Sequence, residues 1–122
     1  MEHSTLVAFL NGKLTPEQFG TKVVEEVFAY NNACRSHGEV RVAIIDGPDT
    51  VVMRDHAKRL LKAVADQRLT LDIASYTARC IVFGDFEFAD DAVNLAVWLL
   101  EKGDLNQLTV GDVLTAIDRF SN

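Results

Sequence analysis

The chain has 122 residues, of which 48% are hydrophobic and 25% are charged, and its formal net charge is −6. These values are typical of a globular protein and exclude a disordered chain, and no apolar run is long enough to span a membrane. The length predicts a single domain over residues 1–122, and the patterns described below predict that it is helical. The start of the chain is acidic at position 2 and lacks the basic beginning of a secretory signal, so we expect a cytoplasmic protein.

The negative charge is concentrated in the C-terminal half of the chain. Residues 1–68 hold nine Lys/Arg and nine Asp/Glu, whereas residues 69–122 hold three Lys/Arg and nine Asp/Glu. This distribution argues against nucleic acid or an anionic membrane as a partner and favours a basic protein partner. The alternative is an acidic surface that only confers solubility.

Two helices are predicted in the first third of the chain. Ser4 is expected to be the N-cap of a short helix over Thr5–Leu10, which the following Asn-Gly pair ends. The sequence TPEQ from Thr15 combines a capping threonine, a proline at the first helical position and a glutamine that completes a capping box. It predicts a helix that runs to about Cys34.

The middle of the chain contains the one ambiguous segment. Residues 39–45, EVRVAII, have the β-branched content of a strand, and an extended arm or a helical turn are the alternatives. After the turn at 46–49, apolar residues at helical spacing predict a helix that begins at Asp49 or Thr50 and runs to about Asp66. A further helix is predicted over Thr70–Phe83, although residues 79–83 also fit a strand.

The most apolar long segment is Phe88–Leu100, which contains no Gly or Pro. Its residues are apolar around most of a helical circumference, so we expect it to be the central and least exposed helix of a bundle. Thr109 is predicted to cap a last helix. The predicted fold is therefore all-α, an irregular bundle of five or six helices, with residues 39–45 as a short strand or extended arm.

The polar side of the segment at 88–100 is the candidate binding site. Three of its residues and the one that follows it, spaced i, i+4, i+8 and i+11, lie on one helical line and form what we call the acidic stripe: Asp90, Asn94, Trp98 and Glu101. An aromatic side chain surrounded by acids suits a Lys- or Arg-rich partner, whereas the plainer interpretation is that the tryptophan covers a neighbouring helix. With the other acids at the helix start, the predicted partner-binding residues are Asp85, Glu87, Asp90, Asp91, Asn94, Trp98 and Glu101.

The sequence contains no pattern that indicates catalysis, a metal or a cofactor. The three histidines lie far apart, no two cysteines are close, and neither a phosphate-binding nor a dinucleotide-binding loop is present. The carboxylates near residue 90 have the ordinary composition of a helix start. We therefore predict no enzymatic activity, no metal site and no cofactor. Cys34 and Cys80 lie in apolar helical patterns and are expected to be unlinked thiols.

Other functions remain open on the sequence alone. The chain could be a helical adaptor or oligomerisation module that uses an apolar patch, and its oligomeric state is not predicted. A small-molecule-binding or enzymatic domain would need a deep pocket lined by residues such as Tyr30, His56 and Tyr76. A second charged patch contains only basic residues and is interpreted as a solvated helix face or as the internal counterpart of the acids: Arg54, Lys58, Arg59, Lys62 and Arg68.

Two segments resemble a known family. Residues 9–19, FLNGKLTPEQF, resemble the opening of small bacterial immunity proteins of the colicin and contact-dependent inhibition type, and residues 85–91, DFEFADD, followed by an apolar helix, resemble a later segment of such proteins. The resemblance implies a small, acidic, helical, cytoplasmic protein that binds a cognate toxin domain. It implies no catalytic residues.

Overall fold

The computed structural model describes residues 1–37, 50–84, 86–102 and 109–120. These residues form six helices and two short strands: α1 His3–Leu10, α2 Pro16–His37, β1 Thr50–Val52, α3 Arg54–Ala65, α4 Leu71–Phe83, β2 Phe86–Phe88, α5 Asp91–Glu101 and α6 Val110–Asp118. The predicted all-α class, an irregular helical bundle, is confirmed, with a two-stranded sheet in addition. The predicted strand or arm at residues 39–45 lies outside the described residues.

Local hydrogen bonds explain where several helices begin. The predicted capping box of α2 is present, because the Gln18 amide donates to the Thr15 hydroxyl at 3.1 Å and the Thr15 amide donates to the Gln18 side chain at 3.0 Å. The Thr70 hydroxyl accepts the Ile73 amide at 3.3 Å and starts α4. Thr109 caps α6, as predicted. Each of these caps satisfies amides that have no partner within the helix.

Three predicted boundaries are wrong, and residues 79–83 are settled as helix. The first helix begins at His3, so Ser4 is not its N-cap. Residues 50–52 form a strand, and α3 begins only at Arg54. The helix predicted from Phe88 begins instead at Asp91.

In none of the described ranges is a helix long and apolar enough to cross a membrane.

The two strands bring the starts of α3 and α5 together. They pair in parallel, with Val52 opposite Phe88, and the Ala89 amide extends the pairing by donating to the Val52 carbonyl at 3.0 Å. Parallel strands need a long crossover connection, which α3 and α4 supply. Phe86 and Phe88 are half-buried while Glu87 is exposed, which is the alternation of a strand with one covered face.

The most enclosed helix is α4 and not α5. All six residues from Ile73 to Ala78 are buried, and α4 packs against both α2 and α5. Two of these residues are polar, and both are satisfied: the Thr77 hydroxyl donates to the Ile73 carbonyl at 2.7 Å, and the Ser75 hydroxyl donates to the Glu101 carbonyl at 3.2 Å. The small side chains of α4 therefore allow neighbouring helices to approach from several sides.

The expectation that residues 88–100 form the least exposed helix is wrong. Val93, Ala96 and Leu100 are buried, as predicted, and Asn94 is more exposed than they are. However, 61% of Leu95 and 37% of Trp98 remain exposed. The reason lies in α6, which packs mainly against α3 and leaves this side of α5 uncovered.

The two cysteines are unlinked, as predicted, and differ in their surroundings. Cys34 is half-buried, whereas Cys80 is fully buried, and burial raises the pKa of the Cys80 thiol to about 12. In the folded protein at mildly alkaline pH, a maleimide reagent should modify Cys34 and spare Cys80, because the thiolate is the reactive form. In denaturant both thiols should react, and mass spectrometry of the products measures this. Equal reaction rates in the folded protein would contradict the burial of Cys80.

Candidate partner-binding surface

Asp90 holds the start of α5 in place and is occupied by internal contacts. One carboxylate oxygen accepts the Val93 amide at 3.0 Å as the N-cap bond, and the other accepts from the Arg54 guanidinium at 2.6 Å. The hydrogen bond from Arg54, and after it the hydrogen bond from the Val93 amide, lower the pKa of the Asp90 carboxyl below its ordinary value. The pairing of β1 with β2 allows this ion pair to form, because it places Arg54, the first residue of α3, beside Asp90, the N-cap of α5.

Substitution of Asp90 separates its two roles. Asn also caps helices well, so Asp90→Asn should lose only the ion pair, whereas Asp90→Ala should lose the cap as well and destabilise the protein more. Because the folded pKa is lowered, the ionised form contributes stability above the ordinary carboxyl pKa, and this contribution disappears as the pH falls through the folded pKa. Urea denaturation should therefore show a gap between wild type and Asp90→Asn that closes in acid. A gap that widens in acid would contradict this account.

Glu101 turns from the acidic stripe towards α4, and the side-chain oxygen of Asn94 is buried. The Glu101 side chain is only 12% exposed, and its carboxylate lies 3.5 Å from Arg79 Nε. Arg79 also donates to the Tyr30 hydroxyl at 2.8 Å through Nη1, while its buried Nε makes no hydrogen bond within the described structure. The Asn94 Oδ1 atom is buried too, and it has no hydrogen-bond partner among the described residues. Glu101 thus contributes to the α4–α5 contact, and the Asn94 side-chain oxygen is not accessible to a partner.

The exposed side of α5 follows a second helical line, next to the acidic stripe. Its residues are spaced by four, three and four positions, and we call them the α5 surface: Asp91, Leu95, Trp98 and Lys102. Leu95 is the most exposed apolar residue of this helix, and the Lys102 ammonium lies 5.2 Å from the centre of the Trp98 ring. This distance is typical of a cation–π contact, so the exposed ring face already holds a cation.

An open groove lies between α5 and α6, beside the α5 surface. It has a volume of about 410 Å³, and its lining combines apolar side chains with a few charges: Ala92, Leu95, Ala96, Trp98, Leu99, Lys102, Asp112, Thr115, Ala116, Arg119 and Phe120. On α6, Val113 is buried, but Val110 and Leu114 are 42% and 49% exposed. Both helices therefore present apolar side chains to the surroundings.

The remaining predicted site residues are distributed around the start of α5. Glu87 is exposed in β2, Asp91 is exposed in the first turn of α5, and neither forms an ion pair with another described residue. Asp85 lies outside the described residues. The structure therefore leaves Glu87, Asp91 and Trp98 accessible, while it commits Asp90 and Glu101 to internal ion pairs.

Two of the residues that could have formed a small-molecule site, Tyr30 and Tyr76, lie together, whereas His56 lies elsewhere. Tyr30 and Tyr76 pack edge to face with ring centres 5.1 Å apart, and the Tyr76 hydroxyl donates to Glu26. His56 belongs to the start of α3, where its Nδ1 accepts the Met53 amide at 3.1 Å. Within the described ranges, no group of three or more His, Cys, Asp or Glu side chains could hold a metal ion.

Sequence patterns missed two members of the α5 surface. Leu95 is one of the apolar residues from which the sequence predicts an enclosed helix, and Lys102 lies beyond the segment 88–100. The spacing of Asp91, Leu95, Trp98 and Lys102 was available as a signal, but the spacing alone does not indicate which side of α5 a neighbouring helix covers.

Comparison of the chain with protein-family models, curated proteins and solved structures found no match.

Proposed function

We propose that this chain is an immunity-type binding protein of the bacterial cytoplasm, which neutralises a cognate toxin by covering a basic surface of that toxin. The observation that supports this most strongly is the exposure of Leu95 and Trp98 side by side along an open groove. Tryptophan is enriched among the residues that dominate binding energy in protein interfaces. The contact would be centred on the α5 surface.

Charge supports a basic partner. Residues 69–122 carry the whole net charge of −6, and the exposed Glu87 and Asp91 lie near the start of α5. A negative surface speeds the approach of a positive one, and opposite potentials select the correct partner. Lys102 shows that a cation fits on the Trp98 ring, so a partner Arg or Lys could occupy the same face when Lys102 moves aside.

The strongest alternative is a helical adaptor or oligomerisation module. Exposed apolar residues on α6, Val110 and Leu114, favour it because they could pair with a second copy of the chain. Analytical ultracentrifugation over a range of concentrations separates the two functions. A monomer at all concentrations agrees with a binding protein that awaits a different partner, and a stable oligomer that buries Trp98 favours the module.

Co-expression tests the immunity function directly. Each protein encoded beside this chain in its genome is expressed in a host cell, with and without this chain. We expect one neighbour to arrest growth and this chain to relieve the arrest. Leu95→Asp should abolish the relief, whereas Val24→Asp, a matched change at an exposed apolar residue of α2, should not. If no neighbour is toxic, or if this chain gives no relief, the proposal is contradicted.

Charge reversal tests the role of the acids. Asp91→Lys should slow association with the partner severalfold and reduce its dependence on salt, because exposed charges steer the encounter and are screened by ions. Asp72→Lys is the matched control, since Asp72 is also an exposed first-turn aspartate but belongs to α4. Stopped-flow association rates at several salt concentrations measure the effect. Equal slowing by both variants would show that only the overall charge matters.

A further inference from the structure

A second groove of different chemistry lies between the α1–α2 loop and α3. Its volume is about 460 Å³, and it shares no residue with the α5–α6 groove: it is lined by Gly12, Leu14, Thr15, Pro16, Asp55, Lys58, Arg59, Lys62, Ala63, Asp66 and Arg68. Four of these side chains are cations and two are carboxylates, so the lining is positive although the chain as a whole is strongly negative. We call the set Lys58, Arg59, Lys62 and Arg68 the basic groove.

Arg59 is an exposed residue whose side chain lies against the loop. The guanidinium group lies directly over Gly12, where the Cβ of any other residue would stand 2.5 Å from Nη1 and 2.9 Å from Cζ. Gly12 also has a φ of +80°, a conformation that glycine adopts readily. The loop therefore accommodates the planar group, and Arg59 forms no ion pair with another described residue. Its charge contributes to lowering the pKa of His56, after the effect of burial.

Arg68 is held by an ion pair with Glu17. Its guanidinium donates to both carboxylate oxygens of Glu17, at 2.8 and 2.9 Å. This bidentate bond lowers the pKa of Glu17 to about 2, so the carboxylate stays ionised and remains turned to Arg68. Lys58 and Lys62 lie one helical turn apart on α3, and neither pairs with a carboxylate in the described ranges. Arg59 and two lysines without a carboxylate partner in the described ranges thus line one concave space, together with Arg68, whose Nε and Nη2 are engaged with Glu17.

We propose that the basic groove binds a small anion that carries several phosphate groups. The planar fork of Arg59 matches two oxygens of one phosphate, and the ammonium groups of Lys58 and Lys62 can neutralise the next. The groove has the volume of a small-molecule site, which is too small for a folded domain. Asp55 and Asp66 lie in the same lining and would repel a surplus of negative charge, so they limit the number of phosphates that fit.

Binding of tripolyphosphate to the full chain tests this proposal. Isothermal titration calorimetry at physiological ionic strength should show saturable binding at one site. Lys62→Gln should weaken it at least tenfold, whereas Lys22→Gln, at an exposed lysine of α2 outside the groove, should leave it unchanged. Arg59→Lys keeps the charge but loses the fork, and it should weaken binding as well. Circular dichroism verifies that each variant is folded.

Three results would overturn the proposal. The first is the absence of saturable binding, and the second is equal weakening by Lys22→Gln, which would indicate only general attraction. The third is full displacement of tripolyphosphate by a glutamate-rich peptide at the same charge concentration, because the groove would then recognise an acidic protein segment. None of these results bears on the α5 surface, so the proposed function and this site can fail separately.

Discussion

Val93→Asp should lower the free energy of unfolding by about 4 kcal/mol, or prevent folding altogether. Val93 is fully buried on α5, and a carboxylate at that position would lose its water without gaining a partner. Leu95→Asp is the matched control, since it makes the same kind of change two residues later at a side chain that is 61% exposed. That variant should change stability by less than about 1 kcal/mol.

Urea denaturation followed by circular dichroism measures both variants. The two variants together test how α5 is oriented about its own axis, because this orientation determines which of its residues a partner can reach. If Leu95→Asp proves as costly as Val93→Asp, the side of α5 assigned to the α5 surface is buried, and the proposed contact loses its basis.

Trp98→Ala should produce the largest loss of binding among truncations to alanine that leave the fold intact. Truncation of a central aromatic residue in an interface costs about 2 kcal/mol or more, which is roughly a 30-fold change in affinity. The loss should appear mainly as faster dissociation, because short-range contacts hold the complex after the encounter. Surface plasmon resonance with the toxin found by co-expression measures it.

The control for Trp98→Ala is Phe28→Ala. Phe28 is an even more exposed aromatic residue, at 67%, and it lies on α2. Its truncation should leave the dissociation rate unchanged. A faster dissociation of the Phe28 variant, together with an unaffected Trp98 variant, would move the contact surface from α5 to α2.

The parts of the fold that depend on nearby residues were predictable. The capping box at Thr15 and Gln18 and the caps at Thr70 and Thr109 involve residues three positions apart, so they can be recognised in any sequence. Strand β2 was also visible in principle. Its Phe-Glu-Phe alternation has the period of a strand, but the apolar helix predicted over 88–100 includes Phe88.

The parts that depend on distant residues were not predictable. Arg54 and Asp90 pair across 36 positions of sequence, and only the parallel strands bring them together. The central place of α4 follows from small residues such as Ala74 and Ala78, which carry no strong apolar signal yet allow close helix packing. The exposure of Leu95 also depends on distant residues, because it follows from the position of α6, which the sequence does not show.

Fluorine NMR tests the central claim, that the α5 surface is the contact surface for the partner. Trp98 is the only tryptophan of the chain, so biosynthetic labelling with fluorotryptophan gives one resonance that reports this position alone. We expect addition of the unlabelled toxin to shift this resonance and to protect it from the effect of a soluble paramagnetic agent. An unchanged resonance with unchanged accessibility, in a sample where the complex has formed, would contradict the claim.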